Sequence, residues 1–208
     1  MAEGKSRTEP LVAPGLGVWK LVPASAGPSF EVVGTSDVET LRKVLSTTPL
    51  GSEWKPRPRI QRASTDPDKT RLAGDFPWLP YPILASDRAG RALLGAFPSD
   101  VELLPVDSDE GNWAIVHVTR TVDGLDWEAS RWEGLRSSGR PKQVFDYVFR
   151  PSALHGVGLF RLKRLESFGP FLTTAARQLI EELGLVGHRS RRVWSEDGQP
   201  AEDSASWT

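Results

Sequence analysis

VELLPVDSDEGNWAIVHVTRTV, residues 101–122, is the stretch that decides the fold class. Residues 101–106 are apolar and β-prone, 107–112 are polar and contain Gly111, and 113–122 are rich in β-branched side chains. Two β-rich runs around a short polar loop with glycine predict an antiparallel hairpin. Strands are therefore expected over 101–106 and 113–122.

Outward from this hairpin, the chain alternates short strand and helix signals without a regular βαβ rhythm. GVWKLVPA (17–24) and SFEVVG (29–34) have strand composition and flank a Pro/Gly turn. SDVETLRKVL (36–45) predicts a helix capped by Ser36 with Glu39 closing a capping box. Val38, Leu41, Val44 and Leu45 would form its apolar face. TTPLGSEWKPRPRIQRASTDPDKTR (47–71) predicts an extended crossing segment anchored by Leu50, Trp54 and Ile60. GDFPWLPYP (74–82) is an aromatic and proline run in which each X-Pro step favours extended backbone. Gly74 and Asp75 are expected to make a turn there, with Phe76 and Trp78 plugged into the core; a loop that contacts a partner directly is the alternative. Ser86 or Asp87 then caps a helix to about Ala96, with Ala89, Leu93, Leu94 and Phe97 facing inward.

Further on, QVFDYVFR (143–150) alternates as one strand, Val144, Asp146, Val148 and Arg150 against Phe145, Tyr147 and Phe149. GLFRLKR (158–164) is a shorter strand. Thr173 or Thr174 opens a helix through about Leu183, with Ala176, Leu179, Ile180 and Leu183 inward and Gly184 as the left-handed cap. HRSRRVW (188–194) is expected as the final strand. The outcome is α+β, a largely antiparallel or mixed sheet with about three short helices. The expected organisation is a loose N-terminal arm over 1–16, a single α+β domain over 17–195 and a disordered acidic tail over 196–208.

The 208 residues include no cysteine, which removes disulfides, thiolate metal sites and cysteine nucleophiles. The formal charge of -1 argues against generic polyanion binding, so no nucleic acid is expected as a partner. No run reaches the ~18 apolar residues of a membrane span, and the N-terminus lacks a signal-peptide core. A cytoplasmic protein without a membrane partner is the expectation. Charge is uneven. Residues 71–140 carry seven Lys/Arg against eleven Asp/Glu, and residues 141–195 carry nine against four.

Chemical motifs are sparse. His117, His155 and His188 have no neighbours at metal-ligand spacing, so no metal site is expected. DSDEG (107–111) opens like a calcium loop, but Val118 stands where the closing glutamate belongs. Neither a phosphate loop nor a nucleophile elbow occurs, and no cofactor is expected. Asp123, Asp126 and Glu128 form a carboxylate group after a strand. Buried together, Asp123 and Asp126 with His117 or His155 would suit a small hydrolase. Arg189, Arg191 and Arg192 supply a third alternative, nucleic-acid binding.

Several phrases occur together and in order: PLGSEWKP (49–56), GDFPWL (74–79), the helix opening at Ser86-Asp87-Arg88-Ala89, ELLPV (102–106), VTRTVDGLDWEAS (118–130), LFRL (159–162) and LTTAARQLIEELGLVGHRSRRVW (172–194). Over residues 17–195 the chain resembles immunity proteins of bacterial polymorphic toxin systems, the eleventh catalogued immunity family, of myxobacterial type. Pro80, Tyr81 and Pro82 depart from the glycine-rich turn that this family often carries. The resemblance implies a cytoplasmic, non-enzymatic toxin inhibitor that acts in interbacterial competition by binding a cognate toxin protein encoded beside it. It transfers no catalytic residue. From the residues themselves, the acidic segment 101–133 is the candidate partner surface, through Asp107, Asp109, Glu110, Asp126, Trp127, Glu128 and Trp132.

Overall fold

A computed structural model describes residues 15–23, 29–63, 74–80, 82–135, 141–198 and 203–205. Most of the 1–16 arm, residues 64–71 of the crossing segment, Tyr81, and tail residues 199–202 and 206–208 lie outside the described residues.

The fold is α+β, as expected. Strands β1 (Gly17–Pro23), β2 (Phe30–Val32) and β3 (Ile60–Arg62) flank helix α1 (Thr35–Arg42). Strand β4 (Ile83–Ser86) leads directly into α2 (Asp87–Ala96). The hairpin of β5 (Val101–Val106) and β6 (Trp113–Val118) follows, then β7 (Thr121–Val122). β8 (Arg131–Gly134), β9 (Pro141–Asp146), β10 (Leu159–Leu162) and β11 (Phe171–Thr173) precede α3 (Thr174–Glu182), and β12 (His188–Ser195) and β13 (Asp203–Ala205) close the chain.

The largest sheet runs β13-β12-β1-β11-β10-β7 and is antiparallel except for β10 with β7. A smaller sheet runs β4-β6-β5, while β2-β3 and β8-β9 form two-stranded ribbons. Alternation along the strands sorts the apolar side chains into three cores. Trp19, Leu159 and Leu172 of the large sheet meet Ala85, Val116 and Val118 of the small sheet, with α2 and α3 supplying Ala89, Leu93, Ala176 and Ile180. On the other face of the large sheet, Val18, Phe160, Leu162 and Phe171 pack with Tyr147 and Phe149. On the other face of the small sheet, Leu84, Leu104 and Ile115 pack with Leu41, Leu50, Trp54 and Ile60. Both sheets are thus covered on both sides, which explains why all four residues of β10 are buried.

The predicted hairpin forms, with Val101 opposite Val118 and Val106 opposite Trp113. The 113–122 strand is broken, however. The N–H groups of Thr119 and Arg120 both donate to the Asp100 carbonyl, at 2.9 and 3.2 Å. β7 therefore leaves the small sheet and joins the large one. Buried Asp100 also accepts from the N–H groups of Gly158 and Leu159 with its carboxylate, so one residue ties the two sheets together.

Both strands expected around the Pro/Gly turn form, β1 between β11 and β12 and β2 paired with β3. Several expectations need correction. The N-cap of α1 is Gly34, whose N–H donates to Asp37, and Ser36 sits inside the first turn. Leu41 and Val44 are buried in the core, but Val38, in the first half of the helix, and Leu45, past its end, are exposed. The strand expected over 143–150 ends at Asp146. Arg131 faces Asp146 and Trp132 faces Val144, so Phe145 is a bulge residue. A bulge shifts the alternation by one position. Val144, Tyr147 and Phe149 are buried and Phe145 is exposed. In α3, Ala176 and Ile180 are buried while Leu183 is exposed at the helix end, just before Gly184, whose φ of 57° makes the left-handed cap. β12 is not the last strand. Asp203–Ala205, in the tail expected to be disordered, pair with Arg189–Arg191, because the edge of β12 offers a row of backbone partners.

Candidate functional site

The aromatic and proline run at 74–82 forms one wall of an open cleft of about 630 Å³. Its anchor is Asp75, which is 8% exposed. The Asp75 carboxylate accepts from Ser86 Oγ at 2.7 Å, Arg88 Nη2 at 2.9 Å and the Val186 N–H at 3.1 Å. Its own N–H donates to the Val186 carbonyl, and its carbonyl accepts from the Ser86 N–H. Burial pushes the Asp75 carboxyl up, but the hydrogen bonds from Arg88, Ser86 and Val186 and the Arg88 charge outweigh it and hold it below its usual range. Ser86 is the predicted cap of α2 and accepts from the Ala89 N–H at 3.2 Å. Asp75 therefore joins the 74–82 run, the start of α2 and the 184–187 turn in one knot.

Glycines permit this junction. A Cβ on Gly74 would lie 2.9 Å from the Gly187 Cα, and Gly187 itself has φ +90°. Two backbones touch there with no room for side chains. Phe76 is buried edge-to-face against His188, with ring centroids 5.5 Å apart. Leu79 is buried, but Trp78 is 38% exposed. The expectation that Trp78 plugs into the core is corrected: the period-2 alternation puts Phe76 inward, and the residue two further on leaves the core as the backbone turns between prolines. Trp78, Pro80 and Pro82 line the cleft on one side, and Phe168, Gly169 and Pro170 on another. Leu21 and Lys20 of β1 and His188 of β12 complete it. β1 pairs with β11 only as far as Lys20 opposite Phe171, and the cleft opens where the 168–170 segment diverges from Leu21. Burial pushes the His188 imidazole below its ordinary value, so it stays neutral at pH 7.

The acidic candidates fall into two separate groups. Asp107, Asp109 and Glu110 stand at the β5–β6 tip. Asp107 is exposed. Asp109 pairs with Arg59 at 2.7 Å and Glu110 with Arg62 at 2.8 Å, both arginines from the crossing segment. Much of the local negative charge is thus answered within the chain. Asp126 accepts from the N–H groups of Glu128 and Ala129, a turn cap. Trp127 and Trp132 stack edge-to-face at 5.3 Å, and Trp132 Nε1 donates to the Trp127 carbonyl. Trp132 is 37% exposed and Glu128 is exposed beside it.

The carboxylates and histidines of the hydrolase alternative do not converge. Asp123 is exposed and faces Arg150 and Lys163. His155 is exposed, and His117 is fully buried. The two ring nitrogens of His117 meet Glu102 Oε1 at 2.7 Å and the Ser46 carbonyl at 2.8 Å, a structural tie between β5, β6 and the end of the α1 region. Among the described residues no group of three or more His, Asp or Glu gathers to hold a metal ion, and no helix is long and apolar enough to cross a membrane.

Sequence reasoning singled out the 74–82 run but not its partners. Lys20 and Phe168–Pro170 are remote in sequence and carry no motif, so only the pairing of β1, β11 and β12 brings them to it. A comparison with models of protein families finds none that matches this chain, and a search of curated proteins finds no match either.

Proposed function

We infer that this protein works by binding another protein, as an immunity protein that occupies and neutralises a cognate toxin in the cytoplasm of the producing or sister cell. The observation that carries this reading is the cleft. It is open, largely apolar and rimmed by an exposed tryptophan, and its walls are stiffened by prolines and by the Asp75 knot. Aromatic anchors on rigid backbone dominate protein interfaces, because little conformational entropy is lost when they are covered. The resemblance of the ordered phrases to the immunity family supports the same reading.

The direct test is to express the product of the neighbouring reading frame with and without this protein, and to measure growth and complex formation. Rescue with a stable complex supports inhibition by binding. Rescue without a complex, or a harmless neighbour, overturns it. Within a complex, Trp78→Ala is expected to leave folding intact, since the side chain is half-exposed, and to weaken binding by about 30-fold, the ~2 kcal/mol of an interface anchor. A change of less than about threefold would move the contact away from the cleft. The acidic hairpin tip is the competing surface. Reversing Asp107, Asp109 and Glu110 to lysine tests it, and unchanged protection would exclude it.

A further inference from the structure

The chain covers one edge of its largest sheet with its own tail. On its inner side β12 pairs with β1 from Pro23 opposite His188 to Gly17 opposite Ser195. On its outer side it pairs with β13 through three residues: Arg189 opposite Ala205, Ser190 opposite Ser204 and Arg191 opposite Asp203. The register with β1 skips Val193, a bulge that bends the second half of β12. The regular half of the strand is therefore the half that β13 covers. Three residues are fewer than the usual strand of about five or six, and so short a pairing opens at low local cost. Alternation puts His188 and Ser190 on one face of β12, where both are buried, and Arg189 and Arg191 on the other. Arg191 is exposed and Arg189 half-buried. The tail that supplies β13 is opposite in charge. Residues 196–208 hold Glu196, Asp197, Glu202 and Asp203 and no lysine or arginine. An acidic strand on a basic edge is the pairing that this chain already makes within itself. His188, the first residue of β12, also lines the cleft, so edge and cleft adjoin.

We propose that the outer edge of β12 at Arg189–Arg191 is a strand-addition site for the protein partner, and that β13 occupies it until an extended acidic segment of that partner takes its place. This rests on the binding reading given above and adds to it the form and charge of one contact. Backbone hydrogen bonds to a sheet edge supply affinity, and alternate side chains supply selection. Arg189 and Arg191 stand two residues apart on one face, so the segment that fits carries carboxylates at alternate positions. In the free protein β13 also keeps the edge from pairing with other chains. Being tethered, β13 competes at a high effective concentration, and contacts made by the same partner in the cleft supply the difference.

The first experiment needs no partner. Asp203→Pro with Ser204→Pro disables β13, because successive residues direct their N–H groups to opposite sides and one of the two faces β12. The amide resonances of Arg189–Arg191 should shift in this variant while those of β10 and β11 stay. A synthetic peptide of residues 199–208, QPAEDSASWT, added to about 5 mM should return them towards their wild-type positions. Its Glu202→Lys, Asp203→Lys counterpart should not. No return with the native peptide overturns the edge site, and equal return with both overturns its preference for acidic strands. The second experiment uses the complex with the neighbouring gene's product. The chain has no cysteine, so Ser190→Cys with Ser204→Cys, at directly opposed positions, locks β13 on β12 when oxidised and releases it when reduced. The locked protein should bind about tenfold more weakly than the same protein reduced. Arg189→Gln with Arg191→Gln should weaken binding by a similar factor and flatten its salt dependence. Locked and reduced forms that bind alike overturn the displacement, and wild-type affinity in the glutamine variant overturns the charge assignment. Failure of the wild type to bind at all rejects the binding reading, while the peptide titration still judges the edge.

Discussion

Asp75→Ala is expected to lower the unfolding free energy by about 3 kcal/mol, because it strips the acceptor from the Ser86 hydroxyl and from the partly buried Val186 N–H. Arg88 contributes little to this loss, since its guanidinium is exposed and returns to water. For a chain of this length the melting temperature should fall by roughly 6–12 °C. The effect on the cleft should exceed the effect on the rest of the fold, because Asp75 connects the 74–82 wall to α2 and to the Gly184–Gly187 turn. Hydrogen exchange would reveal this as faster exchange at Phe76, Leu79 and Val186 than in β10 and β11. Asp75→Asn keeps the shape but turns an amide donor towards the groups that donate to the carboxylate, so it should cost about half as much. Thermal melts that leave both variants within 1 °C of the wild type would refute the knot.

Glu102→Ala should have an effect of similar size from a different place. The Glu102 carboxylate accepts from the Leu50 N–H at 2.6 Å, the Gly51 N–H at 3.2 Å and His117 Nδ1 at 2.7 Å. His117 is fully buried, so removing its partner leaves an orphaned ring nitrogen that water does not reach. A loss of about 3 kcal/mol is expected, measured by urea unfolding with an unchanged slope. Since the tie fastens the crossing segment to β5, limited proteolysis should cut the variant first within 47–63. Uniform resistance there would place the contribution elsewhere.

Both carboxylates have depressed folded-state values. For Asp75 and Glu102, burial raises the value and their hydrogen bonds outweigh it. Their stabilisation is therefore fully present above the ordinary carboxylate pKa of about 4 and is lost as pH falls through the lower folded values. His188, kept neutral by burial, adds to this loss as pH falls below its ordinary 6.5. Lys20 acts at the other end. Between about 8 and 10.5 the unfolded chain holds a proton that the folded chain has released, so stability rises with pH across that window. Lys20→Met should abolish the alkaline rise and leave the acid limb unchanged.

Local signals were legible wherever one segment satisfied its own backbone. The 101–118 hairpin, the Ser86 cap and the Gly184 turn all depend on side chains within a few residues of one another. Readings that required knowledge of a neighbour went astray. Alternation put Phe145 on one face with Tyr147 and Phe149 in an uninterrupted strand, but the bulge opposite Arg131 and Trp132 separates it from them. Trp78 and Phe76 have the same spacing as two core residues, yet only Phe76 meets a partner, His188. The acidic residues at the hairpin tip read as a charged surface, and two of them are paired with arginines some fifty residues earlier.

The sequence by itself determined the α+β class, the helices near 87–96 and 174–182, the central hairpin, and the importance of the Gly-Asp-Phe-Pro run. These follow from hydrophobic period, capping and turn chemistry, which act over a few residues. Only the tertiary structure decided that β7 leaves one sheet for another at Asp100. It also decided that Gly74 and Gly187 bring distant backbones into contact, and that Lys20 and Arg191 stand opposite each other on neighbouring strands. Those outcomes depend on pairings between strands up to about 180 residues apart, and strand composition does not encode which edge a strand will find.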